Sequence, residues 1–384
     1  MFGVREGTAR SVVGPFMNDF RPSIRGSMGV IERYWKFLPV TNQTPVISLS
    51  EGSTPLISSR RLSVLAGRGR KVYLKYEGVN PTGSFKDRGM TMAVSKAVER
   101  GARLVICAST GNTSAAAAAY AARAGIRCAV LLPAGRIALG KLAQAFAYGA
   151  VVIGLEGDFD QCLRLVREFS NEPGTVVVNS INADRIEGQK TAAFEIVDEL
   201  GDAPHLHILP VGNAGNITAY GKGCREYRSA RLATRLPRMI GFQAAGAAPI
   251  YYDRVIPEPE TAATAIRIGN PAGWKTAKAV LEESQGAVDI VSDEQIFSAQ
   301  RWLAANEGVF VEPASAASVA GLMKFCSASS GADCPLAWVP EEGTIVCSLT
   351  GHGLKDIASV LNDRTRPVLA RPNKAAILSV LERE

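Results

Sequence analysis

Between residues 71 and 212 short apolar, β-rich runs alternate with helical stretches. KVYLKYE (71–77), RLVICAS (103–109), RCAVLLP (127–133), VVIGLEG (151–157), TVVVNS (175–180) and HLHILPVG (205–212) read as strands. GMTMAVSKAVERGA, TSAAAAAYAARAG, ALGKLAQAFAYGA, FDQCLRLVREFSN and QKTAAFEIVDELG read as the helices between them. This order leaves few folds open. Strands joined through helices must run parallel, and a parallel sheet needs helices on both of its faces. A length of 384 residues allows two domains of ordinary size.

In an open α/β sheet, ligands sit beyond the carboxyl ends of the strands. Four loops at such ends carry polar chemistry: ASTGNTSA, VNSINADRIEGQK, PVGNAGNIT and SLTGHGLKD. In GNAGN (212–216) the spacing suggests that Gly212 and Gly215 take backbone conformations closed to other residues, while Asn213 and Asn216 supply donors and a helix follows near Ile217. This is a candidate phosphate cradle, although it lacks a P-loop lysine and the G-x-G-x-x-G spacing; taken alone, the residues favour an ordinary strand-to-helix turn. STGNT (109–113) precedes a helix whose amino end could hold a carboxylate, or is simply capped by Ser109, Thr110 or Thr113. Arg185 reads as a loop arginine in NADRIEGQK.

The run PTGSFKDRG (81–89) sets one lysine among turn residues. Pro81 and Gly83 suggest a turn, and Ser84 with Asp87 has the spacing of a capping box for a helix starting near Phe85. A cation is badly placed at the positive amino end of a helix. Sheltered by Phe85, the Lys86 ammonium would be disfavoured, and a neutral lysine is a nucleophile.

Composition narrows the partners. Apolar residues make up 47% and charged residues 21%, as in globular proteins, and no apolar run reaches membrane-spanning length. MFGVREGTAR has no compact signal-peptide core, so the expectation is a cytoplasmic protein. Residues 1–28 are weakly patterned and read as an extension. The seven cysteines are scattered without a C-x-x-C pair, and three histidines make a metal centre a poor expectation. The net charge of +7 is dispersed, which argues against nucleic acid and for a small anionic ligand.

Taken together, SFKDRG, STGNT and GNAGN resemble the threonine synthase family of fold type II pyridoxal-phosphate enzymes. The resemblance runs from about residue 29 to 356 and includes EGSTPLI, LPRMIGFQAAGAAP, EPASAASVAGL and SLTGHGLKD. It implies two three-layer αβα domains with mostly parallel sheets and the active site between them. The large cofactor-binding domain would comprise residues 1–85 and 180–384, and a small mobile domain residues 86–179. It implies pyridoxal 5'-phosphate as cofactor, joined as a Schiff base to Lys86, which would also carry protons as the catalytic residue. Gly212, Asn213, Ala214, Gly215 and Asn216 would bind the cofactor phosphate, Asn112 its ring hydroxyl and Thr350 its ring nitrogen. The implied substrate is O-phospho-L-homoserine. Its carboxylate would meet Ser109, Thr110, Asn112 and Thr113, and its phosphate Asn179, Ser180, Arg185, Thr113 and Asn213. The implied products are L-threonine and inorganic phosphate, made by a homodimer that needs no metal. The alternative is a paralogue with the same cofactor chemistry on another phospho or phosphono amino acid.

Overall fold

The computed structural model describes residues 28–134, 139–157, 159–180, 182–327, 334–359 and 367–382. The extension expected over residues 1–28 therefore lies, apart from Met28, outside the described residues. The strands are β1 Leu56–Ser59, β2 Lys71–Tyr76, β3 Leu104–Ala108, β4 Arg127–Pro133, β5 Val151–Leu155, β6 Thr175–Val177, β7 Leu206–Pro210, β8 Arg238–Ala244, β9 Ala287–Val291 and β10 Thr344–Leu349. The helices are α1 Val30–Arg33, α2 Arg60–Ala66, α3 Lys86–Glu99, α4 Asn112–Ala124, α5 Leu139–Ala147, α6 Phe159–Glu168, α7 Ala183–Leu200, α8 Gly215–Ser229, α9 Pro249–Tyr252, α10 Trp274–Glu283, α11 Asp293–Glu307, α12 Pro313–Ser327 and α13 Lys374–Leu381.

They build an α/β fold with two sheets, one in the order β1-β2-β10-β7-β8-β9 and one in the order β5-β4-β3-β6. Every pairing is parallel except β1 with β2. Both orders contain a point where the chain leaves in opposite directions. From β3 the chain crosses to β4 and β5 on one side, and β6 returns on the other; from β7 it crosses to β8 and β9, and β10 returns on the other. Loops diverge at such points and leave a crevice at the carboxyl ends. Those loops are the four polar ones of the sequence.

Two helices join the sheets. In α3, Met90, Ala93, Val94 and Ala97 pack in the core of the smaller sheet, while Met92 packs with Phe194 of α7 on the other side. Gly89 and Gly188 let α3 and α7 touch: a Cβ on Gly188 would fall 1.8 Å from the Arg88 carbonyl oxygen. Beneath this crossing Arg88 donates to Glu77 (2.6 Å) and Glu195 (2.6 Å), and Lys75 donates to Glu195 (2.7 Å), all four side chains being buried. Two cations meet two carboxylates, so the cluster is neutral overall, which is the condition under which charges tolerate burial.

Candidate active site

The ends of four strands, β3 and β6 of the smaller sheet and β7 and β10 of the larger, and the turn before α3 close on a cavity of about 210 Å³. Every residue that the resemblance assigned to the cofactor or substrate lines it: Lys86, Ser109, Thr110, Asn112, Thr113, Asn179, Ser180, Arg185, Gly212, Asn213, Ala214, Gly215, Asn216 and Thr350.

The turn carrying Lys86 is held by strand-like pairing with the end of β10. Phe85 N–H donates to the Thr350 carbonyl (3.0 Å), His352 N–H to the Gly83 carbonyl (2.9 Å), and Ser84 bridges Gly351. Gly83 has φ +85°, as its turn requires. The expected capping box does not form. Helix α3 starts at Lys86 with Phe85 as N-cap, and the Asp87 carboxylate turns back to accept from Thr82 N–H (2.9 Å) and Thr82 Oγ1 (2.7 Å). Asp87 is buried, and two nearby donors at Thr82 suit it better than a helix end. Lys86 Nζ lies 4.2 Å from the Phe85 ring centroid. Burial first, then the Arg185 guanidinium, lower the Lys86 pKa to about 7 against the opposing pull of Glu312. The lysine is thus largely neutral above pH 7 for reasons of desolvation and a neighbouring charge.

The GNAGN loop differs from its sequence reading in an instructive way. Neither glycine takes positive φ; Ala214 does, at +64°, as N-cap of α8. Gly212 is needed for space, because its Cβ would lie 3.0 Å from Ile266 Cα, and a Cβ on Gly215 would meet only Ile186 Cδ1 at 3.7 Å. An alanine in the left-handed region costs about 1 kcal/mol or more. A left-handed residue directly before a helix amino end is the backbone pattern of anion-binding nests. Asn213 ties the loop to two neighbouring segments, donating to Ser180 Oγ (2.6 Å) and accepting from Ala272 N–H (2.7 Å). Asn179 pairs with both backbone groups of Ala108 (3.0 and 2.9 Å), fastening the loops after β3 and β6 to each other. Thr350 Oγ1 shares a hydrogen bond with buried Ser315 (2.9 Å).

Gly111 is the N-cap of α4, and Ser109 braces the turn before it, its Oγ accepting from Gly111 and Ser114 N–H. The α4 amino end with Asn112 and Thr113 opens into the cavity. Arg185 is not in a loop: α7 begins at Ala183, and Arg185 sits in its first turn. The interior glycine Gly188, which the pattern reads as a loop residue, is there for the α3 crossing. Arg185 is buried, donates to the Val178 carbonyl (3.0 Å), and is brought down to about 10 by burial.

Sequence reasoning passed over five polar lining residues: Gln189, Thr264, Glu312, Lys355 and Asp356. Gln189 follows Arg185 by one helical turn and could have been found once α7 was started early enough. Glu312 receives Asn112 Nδ2 on both oxygens (2.9 and 3.0 Å) and left no local signal. Lys355 donates to the Thr82 carbonyl (2.9 Å) and to Gln144 of α5.

The cavity fits pyridoxal phosphate on its own chemistry. It offers an amine of lowered basicity, a strained backbone cradle with room at Gly215, and buried polar atoms without a protein partner at Arg185 Nε, Gln189 Oε1 and Asn216 Nδ2. A family profile described as pyridoxal-phosphate dependent enzyme matches residues 47–350. A protein from Synechocystis sp. named threonine synthase is 58% identical over 328 residues, 85% of this chain and 83% of that one. The chain belongs to the threonine synthase family. Relatives of that name from Mycobacterium leprae (57% over 336 residues, 87% of this chain and 91% of that one) and Methanocaldococcus jannaschii (48% over 345 residues, 88% and 83%) agree. In three dimensions the chain is similar to maize serine racemase (TM-score 0.66, 22% identity, 78% of this chain and 88% of that one) and to O-ureido-L-serine synthase (0.68, 21%, 89% and 100%), which carries the fold alone. The fold is that of the fold type II pyridoxal-phosphate enzymes, and the protein is a pyridoxal-phosphate-dependent enzyme.

Proposed function

We propose that this threonine synthase family enzyme converts O-phospho-L-homoserine and water into L-threonine and inorganic phosphate. The observation that carries the site assignment is the pairing, in one cavity, of Lys86 at a pKa of about 7 with a second cationic group, Arg185, that no carboxylate answers among the described residues. Pyridoxal phosphate, when bound, supplies an electron sink for the charge left at carbon when a proton departs.

The chain's own residues do the rest. Lys86 Nζ would hold the cofactor and, once freed, take and return protons at the substrate's Cα and Cβ; an amine titrating near 7 can do both at neutral pH. Gly212, Asn213, Ala214, Gly215 and Asn216 would hold the cofactor phosphate through loop amides and the α8 amino end, Asn112 would meet the ring hydroxyl, and Thr350 the ring nitrogen. Ser109, Thr110, Asn112 and Thr113 would orient the substrate carboxylate at the α4 amino end. Arg185, with Asn179, Ser180, Thr113 and Asn213, would hold the substrate phosphate while its bond to Cγ breaks, after which water adds at Cβ. Desolvation of Arg185 strengthens that pull on a dianion. Closure of residues 86–179 over the remainder would exclude bulk water until the phosphate has left. The proposal includes a cytoplasmic homodimer; among the described residues no helix is long and apolar enough to cross a membrane.

The test is phosphate release with amino-acid analysis, using protein, pyridoxal phosphate and O-phospho-L-homoserine beside Lys86→Ala. Equimolar threonine and phosphate, absent in the variant, is the expected result. Cofactor binding at Lys86 without threonine would sink the substrate assignment and leave the cofactor assignment standing.

A further inference from the structure

Glu312 is a buried carboxylate of the cavity that the roles above leave unused. It stands immediately before α12, and pairing around Val311 and His352 fixes its backbone: Glu312 N–H donates to the Gly351 carbonyl (3.1 Å) beside the Val311–His352 bridge. The side chain is 5% exposed and lies against Gly351, where a Cβ would come within 2.4 Å of Glu312 Oε1. Its two oxygens receive a single amide nitrogen, Asn112 Nδ2, at 2.9 and 3.0 Å. Two acceptors on one side of that nitrogen, only a carboxylate width apart, take one N–H between them. The other N–H and the carbonyl oxygen of Asn112 are then fixed in direction. A carboxylate accepts and cannot donate, so an ionised Glu312 also decides which end of the amide faces it.

We propose that Glu312 is a positioning residue: it sets the orientation of the Asn112 amide toward the cofactor ring and places a negative charge in the field of Lys86. The inference rests on the cofactor reading above and on Asn112 meeting the ring. The charged groups around Glu312 are Lys86 from the start of α3, with Lys355 and Asp356 from the segment after β10. Burial raises the Glu312 pKa, while Asn112, Lys355 and Lys86 oppose that rise. Glu312 in turn is the carboxylate that pulls Lys86 upward against burial and Arg185. Each of the two groups thus acts on the charge of the other.

Two variants separate orientation from charge. Glu312→Gln keeps an acceptor for Asn112 and removes the charge; Glu312→Ala removes both. In the full-length chain without cofactor, acetylation of Lys86 by a trace of acetic anhydride, followed across pH by mass spectrometry, reports the protonation of Nζ. Its midpoint is expected to fall by about one pH unit in Glu312→Gln, the size of a nearby charge effect. Pyridoxal phosphate affinity is expected to weaken about tenfold in Glu312→Ala, yet by less than about twofold when the same change is made in Asn112→Ala, because the two residues act through one contact. Losses that simply add across the double variant, or a Lys86 midpoint unmoved in Glu312→Gln, would overturn the proposal. Circular dichroism checks the fold, and the isosteric glutamine variant carries the test if the alanine variant does not fold. Failure of the functional reading would show in the unsubstituted protein; failure of this inference shows only in the variants.

Discussion

Gly188→Ala tests whether the α3–α7 crossing positions the chemistry. In an isolated helix the change is favourable, since glycine costs about 1 kcal/mol relative to alanine. Here the added Cβ would lie 1.8 Å from the Arg88 carbonyl oxygen, 2.7 Å from its carbon and 3.1 Å from Gly89 Cα. A comfortable carbon to oxygen contact is about 3.3 Å, so the helices must part by roughly 1.5 Å. Neither can yield easily, because Arg88 is tied to Glu77 and Glu195 in the buried ion cluster. Overpacking of this kind costs about 1–3 kcal/mol and outweighs the propensity gain. The displacement falls between Lys86, two residues before Arg88, and Arg185, three before Gly188. A misplacement of about 1 Å at a reacting pair costs on the order of 100-fold in rate. Urea denaturation of the chain and kcat/KM for threonine formation should therefore fall together. A Gly188→Ala protein that is more stable, with kcat/KM within about twofold of the parent, would refute the reasoning.

Lys86→Met should stabilise the cofactor-free chain by up to a few kcal/mol at pH 7, because Lys86 has a folded pKa of about 7 against an ordinary 10.5. Unfolding takes up a proton between those values, so the parent gains stability as pH rises from 7 to 10.5 and the gap to the variant closes; urea titrations showing a constant gap would contradict this. Against its burial, Arg88 and Lys75 hold the Glu195 carboxyl well below the usual range. Glu195→Gln should cost about 3–5 kcal/mol by leaving an excess of buried positive charge. The stability that Glu195 supplies is present above its ordinary pKa of 4.5 and is lost as pH falls toward its folded value, an acid sensitivity the variant lacks in thermal melts. Arg185→Gln should lower kcat/KM for the phosphorylated substrate about 10- to 100-fold through loss of a charged hydrogen bond, with cofactor absorbance retained; unchanged kinetics would remove Arg185 from the phosphate site.

What the sequence made legible, and what it hid, divides along the range of the interactions involved. The strands β3, β6 and β7 and their polar loops stand out because apolar runs and glycine-rich ends are local signals, and parallel topology then delivers these loops to one edge. Lys86 stands out because a cation at a helix start conflicts with its immediate neighbours. Features decided by a distant partner left weaker marks or none. Gly188 looks like a break in α7 until Arg88 of α3, a hundred residues earlier in the chain, is seen against it; that misreading put Arg185 in a loop and concealed Gln189. Asp87 keeps the spacing of a cap but is drawn to Thr82 once burial leaves that donor pair as its better partner. The GNAGN glycines suggest left-handed backbone, yet the strain falls on Ala214 while the glycines provide room, a distinction that depends on Ile266 across the cavity. Glu312 is the extreme case. Nothing in EPASAAS marks it, because its meaning comes from Asn112 in the other sheet's loop and Gly351 at the end of β10. Residues that touch the ligand tend to sit in loops with a recognisable grammar, whereas the residues that aim them are set by contacts between sheets and cannot be read until the sheets are put together.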